Sequence, residues 1–136
     1  MPKIDWQDSF SVGNDEIDQQ HKKWIKIFNN MHEALINGDA ADYKSITLKS
    51  LQEMLDYSRM HFNFEENYMA KINYPDLVAH RRIHKDFDTQ VYQLYRQADD
   101  GHTVLNTEII QMIKNWLTQH ILIEDTKYKI FAQQQE

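Results

Sequence analysis

Apolar side chains recur every three or four residues in four separate stretches of this chain. That spacing places them along one face of an α-helix, so each stretch predicts an amphipathic helix with a buried face. The four apolar stripes are Trp24, Ile25, Phe28, Met31 and Leu35; Leu51, Met54, Leu55, Phe62, Met69 and Ile72; Leu77, Phe87, Val91, Leu94 and Ala98; and Ile109, Ile113, Trp116, Leu117, Ile121, Tyr128 and Phe131.

Turn-forming residues separate the four stretches. Residues 37–39 (Asn-Gly-Asp) are predicted to end the first helix, and residues 73–76 (Asn-Tyr-Pro-Asp) separate the second from the third. Within that second break, Pro75 suits the first position of a helix. Residues 99–101 (Asp-Asp-Gly) end the third helix, and Thr103 is predicted to cap the fourth. Such short connections make neighbouring helices antiparallel, so the predicted fold class is all-α, an up-down-up-down four-helix bundle.

The first part of the chain has no helical stripe. Residues 1–17 are therefore predicted to form an extended N-terminal arm, with Trp6, Phe10 and Val12 packed on the bundle. The remaining residues, 18–136, form the bundle. A length of 136 residues suits a single domain, and we expect no separate output domain.

Composition narrows the classes of partner. The net charge is −6, and no segment is rich in lysine or arginine, which argues against nucleic acid and anionic lipid as partners. No apolar run approaches the length of a membrane span, and residues 1–10 lack a signal-peptide core, so we expect a cytoplasmic protein. The absence of cysteine excludes thiolate ligands and disulfides.

Five of the seven histidines lie on the predicted inward faces, together with two carboxylates. His61 with Glu65, and His80 with His84, are spaced four residues apart, which places each pair on one helix face. In an alternating bundle the ends that carry these residues all meet at one pole. Burying so many polar groups without partners would cost several kcal/mol each, which a shared metal would offset. The candidate ligands are His21, His61, Glu65, His80, His84, His120 and Asp125.

The pair formed by His120 and Asp125 has the least regular spacing. Residues five apart are rotated by about 140° on an α-helix. Asp125 nevertheless follows Ile121 by four residues, which keeps it on the inward stripe. His32 and His102 fall outside the set, because His32 lies three turns beyond His21 and His102 lies in a loop at the opposite pole. We predict that both are ordinary boundary or surface residues.

Seven ligands are too many for one tetrahedral ion and fit two metals better. If Glu65 and Asp125 each bridge both ions, the histidines His80, His84 and His120 complete one metal, while His21 and His61 leave an open position on the other. Nitrogen and oxygen ligands suit iron, zinc, copper or manganese, and ligand type alone does not choose among them. The candidate set contains only two carboxylates, so it supplies little negative charge to stabilise the high oxidation states that O2 cleavage requires. This composition should favour reversible O2 binding over O2 cleavage. The predicted apolar pocket consists of Trp24, Phe62, Trp116, Leu117 and Ile121.

This ligand pattern resembles the hemerythrin family, in its bacterial single-domain form, over nearly the whole chain. The resemblance implies a non-haem di-iron centre with a bridging oxide or hydroxide, and reversible O2 binding at the iron held by His21 and His61. The motifs that carry it are His21, His61-x3-Glu65, His80-x3-His84 and His120-x4-Asp125, with Trp6, Val12-Gly13, Asp18-x-Gln20-His21, Tyr74-Pro75 and Trp116-Leu117 around them.

The leading functional hypothesis is a monomeric O2-binding protein, rather than an enzyme, that stores, transports or delivers oxygen to an O2-consuming enzyme. One alternative is a di-iron peroxidase or oxidase, or a nitric-oxide-processing enzyme. Such chemistry needs a proton donor, for which Tyr57 and Tyr128 are the candidates, although tyrosines so placed more often hydrogen-bond the ligands. Another alternative is an oxygen sensor that acts through a separate partner.

Overall fold

The computed structural model describes residues 3–135, so the first two residues of the predicted arm and the last residue of the predicted bundle lie outside it. Four long helical rods form an all-α bundle, which confirms the predicted fold class. The first three rods are α1 (Asp15–Asn37), α2 (Tyr43–Lys71) and α3 (Leu77–Asp99). The fourth consists of α4 (Thr107–Gln119), a π-helical turn (His120–Glu124) and α5 (Asp125–Gln134).

The helices close around one core. Helix α2 packs against both α1 and α3, and α1 also contacts α4. Stacking of Phe87 on Trp116, with ring centroids 4.0 Å apart, joins α3 to α4 and completes the ring. Within the described residues, 3–135, no helix is both long and apolar enough to cross a membrane.

The helix starts differ from those predicted, because asparagine side chains cap two of them. Asn14 accepts a hydrogen bond from the backbone N–H of Ile17 at 3.1 Å, so α1 begins at Asp15, inside the predicted arm. Asn106 accepts from the N–H of Ile109 at 2.9 Å and caps α4. The prediction that Thr103 caps the fourth helix is therefore wrong.

The turn between α2 and α3 also needs more residues than predicted. Asn73 adopts a left-handed conformation, with φ of 59°, and the N–H of Tyr74 reaches back to the carbonyl of Met69. This closed turn ends α2, and the chain needs Pro75 and the residue after it to change direction. Helix α3 begins only at Leu77, so Pro75 does not occupy the first helical position.

The N-terminal arm packs on the bundle as predicted for Phe10 and Val12, which are both buried. Trp6 is half-buried and lies against the ring of Phe10. The side chain of Asn29 bonds both the N–H and the carbonyl of Ile4, each at 2.9 Å. The arm is thus held by backbone hydrogen bonds as well as by apolar contacts.

Candidate metal centre

All seven candidate ligands meet at one end of the bundle. His21 lies in the second turn of α1, and His80 and His84 lie in the first turns of α3. His61 and Glu65 lie in the second half of α2, where the chain returns to the same end. Each of the seven side chains belongs to a residue at most 3% exposed. The convergence that was predicted from the alternating bundle is therefore present.

The ligand atoms form two groups that share a carboxylate. One group contains His21, His61 and Glu65. The other contains Glu65 again, with His80, His84, His120 and Asp125. Within each group the candidate ligand atoms lie within 4.8 Å of one another, close enough to hold a metal ion.

Glu65 faces the two groups with different oxygen atoms. Its Oε2 lies 3.4 Å from Nε2 of His21 and 3.2 Å from Nε2 of His61. Its Oε1 lies 3.2 Å from Nε2 of His80 and 3.0 Å from Nε2 of His84. One carboxylate is therefore positioned to contribute an oxygen to each of two neighbouring ions.

The two oxygens of Asp125 likewise face different groups of histidines. Its Oδ2 lies 3.2 Å from Nε2 of His21, whereas its Oδ1 lies 3.1 Å from Nε2 of His80 and 3.0 Å from Nε2 of His120. Both oxygens are buried, and neither has a partner in hydrogen-bond geometry among residues 3–135. Close approach without hydrogen bonds is expected of ligand atoms that point at a common ion, since a buried carboxylate otherwise requires a partner.

A π-helical turn brings His120 and Asp125 together. The N–H of Asp125 bonds the carbonyl of His120, five residues back, where an α-helix would use a partner four residues back. This turn accommodates one additional residue, so side chains five apart reach the same face. The treatment of this segment as a regular α-helix was wrong, and the irregular spacing of the pair was the signal of the extra residue.

Two side chains outside the candidate ligand set hold candidate histidines in place. His61 donates from Nδ1 to Oε1 of Gln20 at 2.7 Å, and His84 donates from Nδ1 to Oε2 of Glu66 at 2.9 Å. Orienting contacts of this kind are common around metal-bound histidines. Glu66 directly follows the candidate ligand Glu65 on α2, whereas Gln20 lies on α1, a different helix from the histidine that it holds. No spacing in the sequence indicated the contact between Gln20 and His61.

The two suspected tyrosines occupy different environments. Tyr128 is fully buried and donates from its hydroxyl to Oε2 of Glu65 at 3.0 Å. Tyr57 donates instead to the backbone carbonyl of Gln20, at 3.0 Å. Only Tyr128 therefore contacts a candidate ligand.

The predicted pocket residues form an aromatic wall over both groups. The ring of Phe62 stacks on His84 with centroids 3.9 Å apart, and Trp116 stacks on His120 at 4.4 Å. Trp24 covers the other group, with its ring 4.9 Å from that of His61. Leu117 and Ile121, from the same prediction, are both buried in the adjoining core.

The aromatic wall presents an apolar surface to the centre, because the indole N–H of the fully buried Trp24 is already hydrogen-bonded. Trp24 donates from Nε1 to Oγ of Ser58 at 3.0 Å, and Ser58 in turn contacts the sulfur of Met54. Phe87 adds a further ring, 6.3 Å from Trp24. The contact of Ser58 with Trp24 joins helices α1 and α2, and neither residue type suggested it.

The carboxylates remain ionised in this cluster. Burial raises the pKa of Glu65, but the facing His61, His120 and His21 outweigh that effect and hold the pKa well below its ordinary value. Burial and the charge of Glu65 likewise raise the pKa of Asp125, whereas His120 and His21 lower it, with a net decrease. Burial and the two carboxylates together raise the pKa of Tyr128 well above its ordinary value, so this hydroxyl keeps its proton.

The histidines respond in two directions. Burial lowers the pKa of His21 and His80, but the close, negatively charged carboxylates of Asp125 and Glu65 more than compensate and raise each pKa to about 9. For His61, burial dominates and the pKa is lowered. Without a metal ion, His21 and His80 therefore hold protons that a bound cation would displace.

The two excluded histidines lie apart from the centre. His32 is buried, 8% exposed, beside the ring of Phe28, so its predicted place at the boundary or surface underestimated its burial. His102 is exposed and lies in the loop before α4, as predicted. Neither belongs to a group of residues that could hold a metal among the described part of the chain.

A four-helix bundle with five histidines and two carboxylates buried at one end defines a class, the histidine-rich metal-binding bundle proteins. The donor set fits transition-metal binding, since imidazole nitrogen and carboxylate oxygen are both present and both oxygens of Asp125 lack hydrogen-bond partners among the described residues. The model of the hemerythrin HHE cation binding domain matches residues 12–131. The chain belongs to the hemerythrin family, a family of non-haem di-iron proteins that bind oxygen.

Individual relatives agree with this assignment. A bacteriohemerythrin of Stenotrophomonas maltophilia (strain R551-3) is 35% identical over 130 residues, which cover 94% of this chain and 80% of the relative. A hemerythrin-like protein of Naegleria gruberi is 39% identical over 126 residues, covering 93% and 91% of the two chains. A wild-type hemerythrin crystal structure superposes with a TM-score of 0.85 at 27% identity, covering 94% of this chain and 96% of that one.

Proposed function

We propose that this protein binds O2 reversibly at two iron ions held by the seven candidate ligands. The proposal rests on one observation, that the two oxygens of each carboxylate face different groups of histidines. Glu65 and Asp125 each turn one oxygen toward His21 and the other toward His80. A single ion would need no such division, whereas two ions bridged by both carboxylates require it.

In this assignment the two irons differ in their histidine ligands. His80, His84 and His120 hold one iron and His21 and His61 hold the other, with a bridging oxide or hydroxide between them. Three histidines, two carboxylates and the bridge would fill six positions on the first iron. The second iron would have one ligand fewer, which would leave a position open for O2.

The surrounding residues make the site selective for a small apolar gas. Phe62, Trp24 and Trp116 cover the histidines, and the Trp24 N–H is already bonded to Ser58. Water and polar substrates therefore find few hydrogen-bonding groups on this side of the centre. Exclusion of water also limits competing reactions of a reduced metal site.

We assign the protein a role in oxygen storage, transport or delivery to an O2-consuming enzyme, as a monomer in the cytoplasm. The experiment is an optical titration of the anaerobically reduced, iron-loaded protein. O2 should produce a charge-transfer absorption band that disappears when O2 is removed and returns over repeated cycles. A single irreversible oxidation would contradict the proposal.

Two buried histidines provide a matched comparison for that titration. The variant His61→Ala removes a candidate ligand and should abolish the reversible band. The variant His32→Ala removes a buried histidine from the other end of the bundle and should leave the band unchanged. Equal loss in both variants would mean that the band reports general damage to the fold.

The enzyme alternative depends on Tyr128, the one suspected tyrosine whose hydroxyl contacts a candidate ligand. Its raised pKa suits a hydrogen-bond donor better than an acid that gives up a proton. Turnover of peroxide or nitric oxide by the iron-loaded protein, lost in Tyr128→Phe, would favour the enzyme over the carrier. A sensor would instead bind a separate partner in an O2-dependent way, which a pull-down with and without O2 tests.

A further inference from the structure

The histidines of the two groups donate hydrogen bonds to acceptors of different charge. His61 donates to the neutral amide of Gln20, whereas His84 donates to the carboxylate of Glu66. In both rings Nε2 faces the centre, with Nε2 of His61 3.1 Å from Nε2 of His21 and Nε2 of His84 3.0 Å from Nε2 of His120. The Nδ1 atoms therefore carry the donated protons.

Glu66 and Phe62 together determine how His84 is held. Phe62 stacks on the imidazole with an interplanar angle of 8°, which fixes the plane of the ring. The hydrogen bond to Glu66 fixes its rotation and its tautomer. Glu66 is also bonded to Arg81, at 3.1 Å, which holds the carboxylate in place.

A carboxylate that accepts a hydrogen bond from a metal-bound imidazole increases electron donation by the ring. It also places a negative charge close to the metal, where low dielectric strengthens its effect. Both effects favour the more highly charged oxidation state. The amide of Gln20 has the same reach but no charge, so it has no comparable effect on the ion at His61.

We propose that Glu66 is a positioning residue that lowers the reduction potential of the iron at His80, His84 and His120, and so makes the two irons of the centre electronically unequal. This inference rests on the proposed di-iron function. Glu66, which is not itself a candidate ligand, would thus make the two irons unequal, in addition to the unequal number of histidines that hold them.

The same surface groove supplies a matched control. It is lined by two ion pairs, Glu66 with Arg81 and Asp88 with Arg59, together with Phe62 and His84. Glu66 and Asp88 are 22% and 27% exposed, and Arg81 and Arg59 are 55% and 50% exposed. The pairs are thus similar in charge and burial, but only Glu66 is bonded to a candidate ligand.

The experiment is an anaerobic redox titration of the iron-loaded full chain in four variants. Glu66→Gln preserves the shape of the acceptor and should raise the potential, changing the equilibrium constant for reduction about tenfold, or about 59 mV for a one-electron couple. Arg81→Gln should lower it, because the charge of Glu66 is then less compensated. Asp88→Asn and Arg59→Gln should shift it much less.

The opposite signs separate an electrostatic role from a structural one. If Glu66 merely kept His84 in place, Glu66→Gln and Arg81→Gln would both loosen the ring and shift the potential in one direction. That result, or equal shifts in the Glu66 and Asp88 variants, would overturn the proposal. If Glu66→Gln fails to retain iron, Arg81→Gln against Arg59→Gln still decides the sign.

The reciprocal variant tests the other group. Gln20→Glu adds a carboxylate behind His61 and should lower the potential, while an unchanged potential would mean that this position does not influence the metal. None of these titrations requires O2. A protein that shows the expected shifts but no reversible O2 band would retain this inference and lose the proposed function, and the reverse result would do the opposite.

Discussion

The two ends of this bundle are built from the same helices but depend on different interactions. At the end away from the centre, Met31, Leu51, Leu105 and Ile109 are buried against one another. At the other end the same helices bury histidines and carboxylates. Apolar burial stabilises the first end without any bound ligand, whereas at the second end a bound cation would compensate the buried histidines and carboxylates.

The comparison explains why the ligand end also contains so many supporting contacts. Gln20, Glu66 and Tyr128 each bond a candidate ligand from behind. At the apolar end a buried polar contact, from the N–H of Leu105 to Oγ1 of Thr47 at 2.7 Å, fixes the loop before α4. Polar groups in a core need individually placed partners, while apolar groups need only matching shapes.

Removal of the metal should have the largest effect. A ligand that binds the folded state at about 1,000 times its Kd stabilises that state by about 4 kcal/mol, so chelation should lower the unfolding free energy by about this amount. Hydrogen exchange should increase mainly in α5 and at the start of α3, around Asp125 and His80. Equal increases at both ends would contradict the division between them.

The variant Leu51→Ala should have the next largest effect. Leu51 is fully buried at the apolar end, and its truncation should destabilise the protein by about 3 kcal/mol through lost burial and a cavity. Chemical denaturation measures this change, and metal analysis should find the iron content unchanged. Loss of iron in this variant would mean that the two ends are coupled.

The variant Tyr128→Phe tests a support of the ligand end. It removes a buried hydrogen bond to an ionised carboxylate, and the expected destabilisation is about 2 kcal/mol. Tyr57→Phe is the control, since its hydroxyl bonds a backbone carbonyl outside the candidate ligands. Iron should dissociate faster from the Tyr128 variant than from the Tyr57 variant, and equal rates would argue against a specific role for Tyr128.

Iron binding should release protons near neutral pH. His21 and His80 have pKa values raised to about 9 in the metal-free cluster, so both carry protons at pH 7 that a bound ion must displace. Iron affinity should therefore rise with pH up to about 9, by about 1.4 kcal/mol per pH unit for each proton released, and then level off.

Calorimetry in buffers of different ionisation enthalpy measures this proton release. The number of protons released on iron binding should fall above pH 9, because His21 and His80 are then already neutral. A pH-independent affinity between pH 6 and 9 would show that the histidines are neutral before the ion binds.

The fold was largely predictable because it depends on periodic burial. The stripes that contain Trp24, Leu51, Phe87 and Ile113 all face the core, and each of these residues is fully buried. Helix starts were less predictable, because several nearby residues can cap a helix. Thr103 and Asn106 are both suitable cap types, and only the path of the loop decides between them.

The convergence of the candidate ligands was predictable for the same reason as the bundle. The π-helical turn was not, because a spacing of five between His120 and Asp125 is compatible with either a distorted helix or an outward carboxylate. The contact between Gln20 and His61 was also inaccessible, since it joins α1 to α2 through side chains with no shared spacing. Whether the seven residues bind two irons remains a prediction from both sequence and geometry.

The most direct test of that central claim is iron quantification combined with Mössbauer spectroscopy of the oxidised, iron-loaded protein. Our account predicts two irons per chain in a magnetically coupled pair with no net spin, because Glu65 and Asp125 each offer one oxygen to either group. One iron per chain, or two magnetically independent ferric ions, would contradict it.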